Sequence, residues 1–179
     1  MPLTFNGSGS ISGVSAGGLE AGAGPVLATA QASTSGTSID FTGIPSWVKR
    51  VTVMFNGVST NGTSIVQVQL GTSGGFVTSG YLGSVDTSSA GVAATTFATG
   101  LALTRAGGQS AAVLHYGAAY FTGIGSNTWI GTLTNGSSNN QVSYAGCSIA
   151  LSGTLDRIRI TTVNGTDAFD AGSINIMYE

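Results

Sequence analysis

Apolar residues in this chain alternate with polar ones, and nowhere do they recur at helical spacing for three turns. The clearest stretch is Ser38 to Gly57, SIDFTGIPSWVKRVTVMFNG. Ile39 and Phe41 form a short strand signal, Gly43-Ile44-Pro45 turns the chain, and a long β-branched run follows. In that run Trp47, Val51, Val53 and Phe55 fall on one face and Val48, Arg50, Thr52 and Met54 on the other. A period of two over this length predicts a strand with one face in a core, the central strand of its domain. Asn56-Gly57 then offers a pair that tolerates positive φ, which predicts a tight turn.

Comparable runs follow at 64–70, 76–82, 91–104, 111–122, 128–134, 141–151, 154–163 and 172–179, separated by Gly and Asn-Gly. The alanine-rich 91–104 reads as one long strand or two short ones. Together they predict an all-β, jelly-roll-like antiparallel β-sandwich of about eight to ten strands. The alternating run Ile174 to Tyr178 is expected beside the central strand. Residues 1–35 differ: they are small, nearly uncharged and too sparsely apolar for a core. They read as an extended, flexible arm that orders against a partner through Leu3, Phe5, Ile11 and Leu19, ahead of a head domain at 36–179. Charged residues make up 7% of the chain, against about 25% in ordinary globular proteins. Their place is taken by Gly, Ser, Thr and Asn, which suit strands and turns. So little charge leaves little repulsion between copies, and predicts a surface spent on contacts between subunits.

The same composition argues against several functions. Five basic residues and a net charge of −2 fall short of the stripe that nucleic acid requires. No run reaches the ~18 apolar residues of a membrane span, and the first residues do not resemble an export signal. Assembly in the cytoplasm is the expectation. Cys147 is the one cysteine and reads as a small buried strand residue. His115 is the one histidine and reads as a core or interface residue, so no hydrolytic triad, metal cluster or cofactor site is expected. The seven acids include no evident catalytic pair; Asp167 and Asp170 read as turn formers. The Gly-rich stretches lack the Lys-Ser/Thr and helix of a phosphate loop. Four Asn-Gly-Ser/Thr sequons, at Asn6, Asn61, Asn135 and Asn164, read as turn chemistry. A glycan site remains, with Trp129 and Tyr81 as stacking faces and Asn127 beside them as an amide partner.

The string TSIDFTGIPSWVKRVTVMFNGVSTNGTSIVQVQLG, the later GTLTN, LDRIRIT and the closing FDAGSINIMYE resemble the distal domains of tail fibres and related appendages of tailed bacteriophages. The resemblance covers about residues 36 to 179. GSGSISGVSAGGLEAG is similar to the glycine-rich segments that precede such domains. The resemblance implies a non-enzymatic virion structural protein, a short tail fibre or spike. It further implies a homotrimer whose arm docks on a larger virion protein and whose head can bind a host-surface glycan. Because the arm is short and starts at Met1, the chain reads as a stand-alone appendage. The alternatives are a capsid decoration or cement protein and a free carbohydrate-binding module.

Overall fold

The structure, a computed structural model, describes residues 24–88 and 94–179 and, as backbone alone, the strands at 4–5 and 11–12. The strands are β1 Thr4–Phe5, β2 Ile11–Ser12, β3 Val26–Leu27, β4 Gln31–Ala32, β5 Ser38–Thr42, β6 Arg50–Thr60, β7 Val66–Thr72 and β8 Gly75–Phe76. They continue as β9 Leu82–Thr87, β10 Thr95–Phe97, β11 Leu101–Ala102, β12 His115–Gly125, β13 Thr128–Ser137, β14 Gln141–Ala150, β15 Arg157–Thr162 and β16 Phe169–Tyr178. No helix occurs among the described residues. The excess over the expected number lies in pieces of two or three residues.

Two antiparallel sheets form a β-sandwich. A large, nine-stranded sheet runs β10-β9-β14-β13-β12-β6-β16-β3, with β4 also on β16, and a small, five-stranded sheet runs β11-β7-β15-β5, with β8 on β7. The pairing is nested: β6 with β16, β7 with β15, β9 with β14, and β12 with β13 at the centre of the chain. Alternation decides which side chains face inward. Val51, Val53, Phe55, Phe121, Leu133, Ile149, Ile174 and Ile176 from the large sheet meet Ile39, Phe41, Val66, Val68, Leu70, Ile158 and Ile160 from the small one.

The central strand lies where expected, between β12 and β16, and Ile174 is opposite Phe55. Asn56-Gly57, however, makes no hairpin turn. The strand continues to Thr60, and Gly57, at φ 66°, is skipped in the register with β12 between the Asn56 and Val58 pairs. Positive φ here makes a β-bulge, which carries Val58 back into the core. Trp47 and Val48 precede β6; Val48 enters the core while Trp47 rests on Tyr178 with ring centroids 5.9 Å apart.

The 76–82 run is split between β8 and β9 because Tyr81 turns into the core between them. The 91–104 region contains two short strands, β10 and β11. The polar stretch after Thr134 is strand rather than loop as far as Ser137, with Asn135 fully buried. At the other end, pairing to β16 begins at Val26, inside the stretch expected to be free arm. The Ser33 hydroxyl, also buried, donates to the Ala171 carbonyl at 2.8 Å. Of the proposed arm anchors, Leu3 and Leu19 lie outside the described residues, and Phe5 and Ile11 are opposite one another in the β1–β2 pair.

Candidate functional site

The three residues read as a glycan site serve other purposes. Tyr81 is 1% exposed, and its oxygen accepts the Leu70 N–H at 2.7 Å inside the core. Burial pushes its phenol well above the ordinary range. Trp129 is 5% exposed and belongs to the hydrophobic core. Neither ring presents a face on which a sugar could stack, so both stacking assignments fall. Asn127 and Ser126, at φ 55° and 49°, form the β12–β13 turn, as a two-residue hairpin requires. The Asn127 carbonyl accepts the Leu151 N–H at 3.0 Å. Trp129 and Asn127 do line a common cleft of about 270 Å³ with Lys49 and Thr154, but Tyr81 is not part of it.

The two outer faces of the sandwich differ sharply in chemistry. Tyr116 and Tyr120 of β12, Ile130 of β13, Tyr144 of β14 and Leu82 of β9 are all exposed on the large sheet. Thr122, Thr132, Thr134 and Gly146 lie among them. The charges of this face sit toward its margins: Asp86 on β9, and Arg50 at the start of β6, paired with Glu179.

The outer face of the small sheet is mostly polar, with Phe76 and Val163 as its apolar side chains. Because Val66, Val68, Ile158 and Ile160 point inward, Gln67, Gln69, Arg159 and Thr161 must point outward. The register sets them in two rows across three strands, Gln69–Arg159–Asp40 and Gln67–Thr161–Ser38. Arg159 donates from Nε and Nη2 to the two carboxylate oxygens of Asp40 at 2.8 and 2.7 Å, and its guanidinium carbon lies 4.1 Å from the centre of the Phe76 ring. This bidentate pair raises the Arg159 pKa further, so the guanidinium stays charged and fixed in place.

Thr99, in the loop before β11, covers the glutamines: Gln69 Nε2 donates to its carbonyl at 2.8 Å, and its hydroxyl donates to Gln67 Oε1 at 2.8 Å. The result is a groove of about 310 Å³ lined by both glutamines, Thr99, Arg159 and Thr161. Alternation in the sequence already placed Gln67 and Gln69 opposite Val66 and Val68. What it lacked was the β7-β15-β5 order that sets them beside Arg159 and Asp40.

His115 is fully buried: its Nε2 is 2.7 Å from Gln109 Oε1 and its Nδ1 is 3.0 Å from Asn135 Nδ2. Because an amide nitrogen only donates, Nδ1 is the acceptor and Nε2–H bonds Gln109. Burial lowers the imidazole pKa to about 4, which keeps the ring neutral. Cys147 is buried as expected, its thiol pushed up to about 11 by desolvation. Among the described residues no three His, Cys, Asp or Glu side chains gather in a way that could hold a metal ion.

The fold and these surfaces define a charge-poor β-sandwich with one aromatic face whose charges sit toward its margins and one polar, grooved face. No family model, curated protein or solved structure matches the chain.

Proposed function

We propose that the chain is a structural protein of a tailed-bacteriophage virion, a short tail fibre or spike. Its sandwich is read as jelly-roll-like, and it assembles as a homotrimer with an adhesive head. The segment before Val26 docks on a larger virion protein, through Leu3, Phe5, Ile11 and Leu19. Three things support this: the resemblance of residues 36–179 to fibre distal domains, the nested strand pairing, which is that of a rolled hairpin, and the chemistry of the large sheet's outer face. The last carries the reading. Five long strands at ~4.8 Å spacing and roughly ten residues each offer on the order of 800 Å², matching the ~800 Å² per partner of a standard interface. A face with three exposed tyrosines and its charges toward the margins suits burial between copies far better than exposure to water. In a threefold ring, two parts of one broad face meet two different neighbours.

Light scattering at micromolar concentration should give three times the 17.7 kDa chain mass, and Tyr120→Glu should reduce it to one. A wild-type monomer rejects the trimer, and an unchanged Tyr120→Glu trimer rejects this face as its interface. A cryo-EM map of intact virions tests the location. Threefold knobs on the tail or a vertex support the appendage; density lying flat between capsomers makes the chain a cement protein.

A further inference from the structure

We propose that the groove on the small sheet is a binding site for an uncharged saccharide bearing adjacent free hydroxyls. This rests on the reading of the head as adhesive and gives that adhesion a location. Thr99 determines what the groove offers. Its carbonyl can only accept, so the Gln69 amide nitrogen must point to it and Gln69 Oε1 turns away; its hydroxyl then bonds Gln67 Oε1, which turns Gln67 Nε2 away. Neither outward atom makes a hydrogen bond to the described residues, and although both side chains are largely buried, Gln67 2% and Gln69 5% exposed, both line the groove. A fixed donor and a fixed acceptor therefore stand two residues apart on one strand, roughly 7 Å along it.

Thr161 adds an acceptor on the neighbouring strand, because its proton is committed to the Thr37 carbonyl at 2.9 Å. Arg159 adds the N–H groups that Asp40 does not use. Hydroxyls both donate and accept, so adjacent sugar hydroxyls can engage such a mixed set, whereas a carboxylate could use the donors alone. Charge selects in the same direction. Arg159 is already neutralised by Asp40, so an anionic sugar would find little net positive charge there to offset its own desolvation. Val163, half exposed at the groove's edge, supplies an apolar contact for the CH face of a ring. At about 310 Å³ the groove is at the small end of the ~300–1,000 Å³ typical of ligand sites, room for a single ring rather than a long chain. Preset amides and a paired guanidinium also lose little freedom on binding.

The test is saturation-transfer NMR on the full chain with glucose, galactose and mannose, each at tens of millimolar, and glucuronate as the anionic comparison. At least one neutral hexose should take up saturation, with glucuronate weaker than its neutral parent. Gln69→Leu and Thr161→Val, on different strands, should each weaken binding about tenfold, the scale of one lost hydrogen bond, at unchanged oligomer mass. Silence from all three hexoses overturns the proposal, as does binding of glucuronate alone or binding indifferent to both variants. A protein that forms trimers in virions yet binds no neutral sugar loses this inference and keeps the structural reading. One that binds sugar through Gln69 but is absent from virions supports the inference and loses that reading.

Discussion

Lowering the pH from 7 to 5 should destabilise the fold through a single side chain. The chain has one histidine, fully buried between Gln109 and Asn135, and burial lowers its pKa to about 4 from the ~6.5 expected of the unfolded chain. Between those values the unfolded state holds a proton that the folded state does not, so stability is full above the unfolded value and falls as pH drops toward the folded one. A shift of this size corresponds to about 3 kcal/mol in all, of which about 2 kcal/mol is lost between pH 7 and 5. That is a large fraction of the ~5–15 kcal/mol by which domains are stable. Most carboxylates titrate below this window (~3.9–4.3 unfolded), which isolates the imidazole. Urea unfolding at pH 7, 6 and 5, at fixed protein concentration, reads the loss, and NMR of the one imidazole reads its folded pKa. His115→Gln should flatten the dependence. A folded imidazole titrating near 6.5, or equal urea midpoints at pH 7 and 5, would refute the reasoning.

Tyr81→Phe removes the acceptor of the buried Leu70 N–H and should cost about 1–3 kcal/mol; an unchanged melting temperature would show that water or another group replaces it. Gly131→Ala should cost a similar ~1–3 kcal/mol through overpacking, since a Cβ there would lie 2.7 Å from both Cys147 Sγ and Phe121 Cε1; a neutral result in thermal unfolding would mean the ring can move aside. Deleting residues 1–23 should leave melting unchanged, whereas deleting 1–35 strips β3 and β4 from β16 and should lower it; equal melting of the two would place the head boundary at residue 36 after all.

Much of the sandwich was legible because half-buried strands print their burial in the sequence with a period of two. Val66, Val68 and Leu70, or Ile158 and Ile160, could hardly face anywhere else. What failed was local. Asn56-Gly57 carries the same signal whether it ends a hairpin or makes a bulge, since both need positive φ, and only pairing with β12 and β16 decides between them. Val26 and Gln31 look like linker because their strands are too short to alternate; they are held by the edge of β16. The aromatic residues misled for a similar reason. Trp129 and Tyr81 sit among polar neighbours in sequence, but their rings fill the space between the sheets. The groove was half visible: the outward glutamines and the alternating arginines could be read, but not the strand order that gathers them.

One register therefore sets both the core and the groove. On β15, Ile158 and Ile160 fill the sandwich, while Arg159 and Thr161 line the outer face; on β7, Val66 and Val68 do the same for Gln67 and Gln69. Slipping either strand by one residue would bury Arg159 beside Leu70 or expose the core isoleucines, which no small gain in surface pairing could offset. The strand half of the groove's wall is thus fixed by the same register as the core, and the other half comes from the loops at Thr37, Thr78, Thr99 and 163–165. The converse also follows. Outward positions can change side chain without moving the register, so the ligand preference of such a groove can be altered at Gln67, Gln69 and Thr161 while the inward residues keep the fold. A Gln67→Asn, Gln69→Asn double variant should retain the urea midpoint to within about 1 kcal/mol, the span of β-propensity differences, yet shift which neutral hexose binds. A midpoint that collapses would mean that the Thr99 contacts hold the small sheet together, and that site and scaffold are not separable.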